Sequence, residues 1–172
     1  MSNENALISI VIPAFNNPEY TQKTIDSVLL QTYRPIEIIL SDDHSPQSLQ
    51  GLVELKKKEC DNGISIKYFW QEKNLNYYWN LQFVIDQASG KYIVLLDHDD
   101  WLIDTNYLFD AVLAMEGRAD CFLSIANTFF ENLPKTILQF HFQNWHYVDY
   151  SGQGAYLINV ALNQHPLKFL GF

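Results

Sequence analysis

Thiols are scarce in this chain of 172 residues: it has two cysteines, Cys60 and Cys121, far apart and without a ligand-spaced neighbour. That excludes a disulfide framework and a thiolate metal site, points to a reducing compartment, and makes both cysteines small buried hydrophobes by expectation. Positive charge is scarce too. With 11 Lys and Arg against 20 Asp and Glu, a formal net charge of -9 and a pI near 4.8, the chain has no bulk attraction for nucleic acid or anionic membrane. A phosphate-bearing ligand would need a cation between itself and the protein. No long apolar run is present at the start, where "MSNENALISI" lacks a basic flank and the apolar residues beyond it are interrupted by Pro13 and Asn16. Neither a secretory signal nor a membrane span is expected there, and a cytoplasmic location is. Also missing are G-x-G-x-x-G after the first apolar run and G-x-x-x-x-G-K-[ST] anywhere, so the dinucleotide fingerprint and the P-loop are both excluded.

The composition is otherwise that of an ordinary globular domain. Hydrophobic residues make up 48%, charged residues 18% and aromatics 15%, and the mean hydropathy is -0.13. The length fits one domain with a real core. "ALISIVIPAF" is a continuous β-branched run ended by Pro13, as in a strand buried on both faces. Asn17 offers an N-cap with Pro18 in the first helical position, and Ile25, Val28 and Leu29 recur at helical spacing. "IEIILSDD" is a second strand. Ser45 and Pro46 open a helix carrying Leu49, Leu52, Val53 and Lys56. "ISIKYFW" alternates as a third strand, and "YYWNLQFVIDQAS" places Leu81, Val84, Ile85 and Ala88 on one helical face, with Gly90 as its C-terminal glycine. "KYIVLLD" is the fourth strand, Asp104 caps a helix through "TNYLFDAVLAME", and "ADCFLSIANTFF" reads as a further strand. In the aromatic remainder only Ile137 to Phe142 reads as a strand. This alternation predicts an α/β fold, a mainly parallel sheet with helices on both faces.

Ligands of such sheets bind outside the carboxyl ends of the strands, where strand order reverses. The first strand ends in "PAFNN", the second in "SDDHS" and the fourth in "DHDDW", so acidic residues converge on one edge. Close carboxylates repel unless a cation is shared, and an all-oxygen ligand set favours Mg2+ or Mn2+. A divalent ion holding a pyrophosphate fits this pattern. Each cluster taken alone is also what a capped turn or loop start would show.

Together, "ISIVIPAFNN", "TIDSVLLQTY", "IEIILSDDHS", "NLNYYWN" and "ASGKYIVLLDHDDWL" resemble, in order and spacing, the N-terminal half of family-2 glycosyltransferases. The likeness covers roughly the first two-thirds of the chain. It implies a Rossmann-like, A-type nucleotide-diphospho-sugar transferase fold and an inverting, metal-dependent reaction with Mn2+ or Mg2+. The donor would be a nucleotide sugar, a UDP-sugar first among them, and the acceptor a saccharide or glycolipid, with peripheral membrane association compatible with the latter. Polysaccharide or glycoconjugate synthesis would be the setting. The resemblance treats residues 1–172 as one domain, with 1–103 the nucleotide-binding part and 104–172 the start of the acceptor part.

Carried over by position, Pro13, Ala14 and Phe15 would line the nucleotide pocket. Asp43 would accept the base N3–H, which favours uracil or thymine, and Asp42 would support that loop. Asp99 would bind the metal, Asp97 would face the ribose or the metal, and Asp100 would serve the loop or the sugar. His98 reads as loop filler. His44, His141, His146 and His165 lack metal-ligand spacing and read as structural or surface residues. "YYWN" looks like the family's Asn-Trp-Asn variant, so Trp79 brings no Arg charge to a pyrophosphate, and its bulk at the start of a packing helix reads as core. The acidic residues that usually come after "SGQGAYLINVALNQHPLKFLGF", the catalytic base among them, have no counterpart before Phe172, and Asp149 is the only acid after Glu131. The alternative is accordingly a non-catalytic nucleotide-diphosphate-binding module or remnant. A receiver-like or phosphohydrolase domain is disfavoured, because it would place an Asp where "PAFNN" stands.

Overall fold

The computed structural model describes residues 5–115, 121–122, 127–129, 137–139 and 168–170. Strands and helices alternate: β1 (Ile8–Ala14), α1 (Pro18–Leu29), β2 (Ile36–Asp42), α2 (Gln50–Lys57), β3 (Ile64–Trp70), α3 (Asn76–Asp86), β4 (Tyr92–Leu95) and α4 (Tyr107–Met115). Four short strands come after them: β5 (Cys121–Phe122), β6 (Asn127–Phe129), β7 (Ile137–Gln139) and β8 (Lys168–Leu170). Six of the strands form one sheet in the order β3-β2-β1-β4-β8-β5, and every pair in it is parallel. Order therefore reverses between β1 and β4. β6 and β7 pair antiparallel in a separate two-stranded sheet.

The expected α/β architecture is what forms, and the reason is visible residue by residue. Every position of β1 and β2 is buried, as the continuous apolar runs require of strands covered on both faces. Ile8, Ile10 and Ile12 point into one cluster with Ile25 and Val28 of α1, Leu49 and Val53 beside and within α2, and Leu108 and Ala111 of α4. Val11, Ile39 and Ile93 point the other way, against Val84 and Ile85 of α3. So α1, α2 and α4 cover one face and α3 the other. β3 lies at the sheet's edge, and its burial alternates at the start as its sequence does.

Polar contacts join the elements where the core thins. Lys56, 7% exposed, reaches Asp26 at 2.6 Å and Glu59 at 3.0 Å, tying α2 to α1. Gln31 donates to Asp104 O and accepts from Leu108 N, which fastens the end of α1 to the start of α4.

Several local expectations are corrected. α2 begins at Gln50, after Leu49, and Ser45 does not cap it; Ser45 Oγ instead accepts from Asn16 N at 2.6 Å. Asn17 does precede α1, with Pro18 first in the helix, but its side chain makes no cap bond and its backbone is left-handed (φ 58°). Asp104 lies before α4, its carboxylate taking Asn106 N at 2.8 Å. Gly90 is no helix cap, since α3 ends at Asp86; a Cβ there would meet Ser9 N at 2.7 Å and Leu7 O at 2.8 Å, so the glycine permits close approach to β1. The run "ADCFLSIANTFF" does not form one strand but contributes β5 and β6 to different sheets, while β7 falls within the expected Ile137 to Phe142 and β8 has no counterpart among the expected strands. Cys60 is only partly buried, packed on the main cluster, and burial together with the charges of Asp61 and Glu59 raises its thiol pKa. His141, His146, His165, Asp149 and the Cys121 side chain lie outside the described residues.

Candidate functional site

A cleft of about 240 Å³ opens at the carboxyl ends of the strands, beside the reversal between β1 and β4. The end of β1 supplies Pro13, Ala14 and Phe15, and Asp43 comes directly after β2. The approach to α3 and its first turns supply Asn74, Asn76, Tyr77 and Asn80, and His98 comes from the turn after β4. Four of the sequence-expected residues, Pro13, Ala14, Phe15 and Asp43, thus meet in one depression. Phe15 is 45% exposed, a large aromatic ring presented to solvent at the rim.

The two aspartates that close β2 do different work. Asp42 is fully buried: Oδ1 accepts from Ser45 N (2.9 Å), and Oδ2 accepts from Leu49 N (3.0 Å) and the Tyr68 hydroxyl (2.8 Å). It holds the loop in shape, and no part of it lines the cleft. Burial first, and the bond to Asp42, push the Tyr68 phenol up to about 12. Asp43 is held by its backbone, donating to Ala14 O (2.8 Å) and accepting from Asn74 Nδ2 (3.0 Å), while Oδ1 takes Leu75 N at 2.6 Å. Among the described residues no donor is assigned to its Oδ2. His44 adopts a left-handed backbone (φ 63°), and its ring tilts against Trp70 with centroids 5.0 Å apart.

The acidic turn after β4 is fastened from α1. Thr24 Oγ1 lies 2.8 Å from His98 O and 2.7 Å from Asp100 O, Ser27 Oγ accepts from Leu102 N, and Asp100 N closes the turn on Asp97 O. Asp97 is half-buried and accepts from the Tyr77 hydroxyl at 3.0 Å, whereas Asp99 and Asp100 are exposed. Burial raises the Asp97 carboxyl above its usual range; the Tyr77 bond opposes this and the neighbouring Asp99 adds to it. Although Asp100 is exposed as a residue, partial desolvation of its carboxyl against the turn raises it, and the charges of Asp97 and Asp99 add to this. Tyr77 is 54% exposed as a residue, but partial desolvation at its hydroxyl, and then the Asp97 charge beside it, raise its phenol. A turn with this much uncompensated negative charge is suited to a hard cation.

Among the described residues no group of three His, Cys, Asp or Glu side chains is arranged to hold a metal ion. Those residues therefore present no complete coordination sphere. Asp97 and Asp99 are all-oxygen donors of the kind that bind Mg2+ or Mn2+ through one or two carboxylates, with ligand phosphates and water completing the shell, so the donor chemistry fits such an ion.

Trp79 is not core: it is 62% exposed, stands edge-on to Tyr78 with centroids 5.1 Å apart, and leaves the burial of α3 to Val84 and Ile85. The residue of that motif turned inward is Asn80, 2% exposed, which donates to Ser41 O (3.0 Å) and accepts from Ser41 Oγ (2.5 Å). Asn74, Asn76, Tyr77 and Asn80 line the cleft although sequence reasoning does not assign them, and His98, expected as loop filler, lines it with them. The available signal is the polar start of "NLNYYWN", which lacks the apolar spacing of the rest of the helix.

The chain is 34% identical over 119 residues to the GalNAc(5)-diNAcBac-PP-undecaprenol beta-1,3-glucosyltransferase of Campylobacter jejuni, an alignment taking in 67% of this chain and 37% of that one. It is 36% identical over 114 residues to the amylovoran biosynthesis glycosyltransferase AmsB of Erwinia amylovora, covering 65% of this chain and 38% of the other. The chain thus spans well under half the length of these relatives. Among solved structures, S. aureus TarS 1-349 in complex with UDP-GlcNAc superposes with a TM-score of 0.63 at 22% identity, over 74% of this chain and 37% of that one. The mannosyltransferase PcManGT from Pyrobaculum calidifontis, in complex with GDP-Man and Mn2+, gives 0.64 at 14% identity, over 72% and 37%. At these identities the two structures show the shared A-type fold. The family model for glycosyl transferase family 2 matches residues 9–168. Because that match runs from the second residue of β1 to the first of β8, taking in part or all of every element of both sheets, the chain belongs to glycosyl transferase family 2.

Proposed function

We propose that this chain carries the donor-binding part of an inverting glycosyltransferase that uses a nucleotide-diphosphate sugar, a UDP-sugar first, with Mg2+ or Mn2+, in cytoplasmic polysaccharide or glycoconjugate synthesis. Residues 1–103 would form the nucleotide-binding part and 104–172 begin the acceptor part, the acceptor being a saccharide or glycolipid. The observation that supports the reading is that Asp43, after β2, and His98, within the acidic turn after β4, line one cleft at the reversal of strand order.

The chain's own groups divide the work. Asp43, with Oδ1 engaged by Leu75 N, offers Oδ2 to the N3–H of uracil. Pro13, Ala14 and Phe15 form an apolar wall for the base and ribose. Asp97, steadied by Tyr77, and Asp99 would hold the divalent ion, which when bound neutralises charge on the departing diphosphate. The acceptor hydroxyl, giving its proton to a general base, would form the new C–O bond from the face opposite as the bond to the diphosphate breaks, so a single displacement inverts the anomeric carbon. The relatives' names, a glucosyltransferase and a glycosyltransferase of amylovoran biosynthesis, support a saccharide product.

Calorimetric titration with UDP, GDP, dTDP and CDP, each in Mn2+ and again in EDTA, tests the proposal. UDP should bind most tightly and lose that affinity in EDTA. Affinity for UDP that survives EDTA unchanged would overturn the metal's role, and a preference for GDP would overturn the reading of Asp43.

A further inference from the structure

Among the described residues, Tyr77 is the one side chain lining the cleft that also bonds to an acidic residue of the turn after β4. Its position is determined from the other side of the site. Asp43 Oδ1 takes Leu75 N at 2.6 Å and Asp43 O takes Asn74 Nδ2 at 3.0 Å, so the segment entering α3 is pinned to the loop after β2. Asn74 Oδ1 then accepts Asn76 N at 3.0 Å, and Asn76 takes a left-handed backbone (φ 66°) that turns the chain into the helix. For Asn, whose short polar side chain bonds locally, this conformation is tolerated. The next residue is Tyr77, whose hydroxyl donates to Asp97 Oδ1 at 3.0 Å. The start of α3 is thus fixed at one end by the base-side carboxylate and delivers a phenol to the turn-side carboxylate.

Resting on the donor reading above, we infer that Tyr77 is a positioning residue for the diphosphate end of the site: it holds Asp97 in the orientation in which that carboxylate serves the metal and diphosphate. A carboxylate with one oxygen held is less free to turn, and its other oxygen is presented in a set direction. Groups held this way by a neighbouring hydrogen bond bind a metal better than free ones, and loss of such a support typically costs 10- to 100-fold in affinity. The phenol acts through Asp97 and contributes no charge of its own.

The test is a double-mutant cycle read by calorimetry, with Tyr77→Phe, Asp97→Ala and the pair, each titrated with UDP in Mn2+ and with uridine, which has no phosphate. Tyr77→Phe should weaken UDP about tenfold in Mn2+, leave uridine unchanged, and have no further effect once Asp97 is alanine. Thermal melts check folding, and Asp97→Ser replaces Asp97→Ala should the latter not fold. A loss of uridine binding equal to that of UDP, or an undiminished effect of Tyr77→Phe in the Asp97→Ala background, would show that Tyr77 touches the ligand itself and would overturn the inference. Normal UDP binding by Tyr77→Phe would do so too. Wild-type protein whose UDP affinity is the same in Mn2+ and in EDTA would instead overturn the donor reading, and this inference with it.

Discussion

Lys67 Nζ lies 2.7 Å from Glu37 Oε2, an ion pair between neighbouring strands near the end of the sheet opposite the cleft. Glu37 is 3% exposed and also accepts from Ser9 Oγ (2.5 Å) and from Ser89 N and Oγ (both 2.7 Å). Burial alone would raise its carboxyl, but the bonds from Lys67, Ser9 and Ser89 outweigh that and bring the pKa from 4.5 to about 2. A buried charge with its acceptors filled stabilises the fold only while it stays ionised.

Glu37→Gln should therefore cost roughly 2 kcal/mol at neutral pH, a figure reduced for the solvent around half-exposed Lys67. Because the folded pKa lies below the unfolded one, the contribution is complete above about pH 4.5 and is lost as pH falls toward 2. Urea unfolding of both proteins between pH 2 and 7 should show the gap closing on the acid side. A gap that stays constant across that range would refute the assignment.

Asp42 and Asp99 should separate stability from binding. Asp42→Ala strands Ser45 N and Leu49 N, leaves the Tyr68 hydroxyl only its bond with Ser48, and should cost about 3 kcal/mol in unfolding free energy. Asp99→Asn changes an exposed side chain and should leave the melt within about 0.5 kcal/mol of wild type while abolishing the metal-dependent part of UDP binding. Equal melting losses in the two variants would contradict this division.

Asp43→Asn keeps an oxygen for Leu75 N but removes the carboxylate offered to the base. UDP affinity should fall at least tenfold, in line with the loss of a hydrogen bond to a charged group, and pyrophosphate affinity should stay within about twofold. Parallel losses for the two ligands would remove Asp43 from base recognition.

Two glycines should respond in opposite directions to alanine. At Gly90 the new Cβ would press on backbone atoms of Ser9 and Leu7 that cannot move without disturbing β1, a cost of about 1–3 kcal/mol. At Gly51, inside α2 with nothing within 4 Å, alanine should stabilise by about 0.5 kcal/mol through helix propensity. Chemical unfolding of the two variants reads both signs.

The sheet's centre is legible in the sequence because β1 and β2 are buried on both faces, and a strand in that position must be written as an unbroken apolar run. α1 and α3 are legible in their apolar spacing, and Val28 and Val84 do face the two clusters. The start of α2 is not, because Ser45 and Pro46 look like a cap until the Asp42 carboxylate captures Ser45 N and Leu49 N and holds the loop open to Leu49. Trp79 departs from its expected burial for a similar reason: bulk predicts burial only where the helix faces the sheet, and the first turn of α3 faces solvent. The site's carboxylates can be read from the strand ends, but not their partner Tyr77, since that contact depends on how α3 lies relative to β4. β8, three residues long, carries too little pattern to announce itself.

The place of β8 bears on how the molecule is made. β1, β2 and β3 pair in chain order through successive crossovers, and β4 then returns to pair with β1, Ile8 opposite Tyr92, once both strands are made. The next position in the sheet is filled from far down the chain, Lys168 pairing with Tyr92 and Phe169 with Ile93, and β5, although earlier in sequence, pairs with β8. Closure of that long loop precedes any reward from the pairing. On a ribosome the four strands β1 to β4 can settle while the β4 edge stays unpaired, until Lys168–Leu170 arrives to cover it.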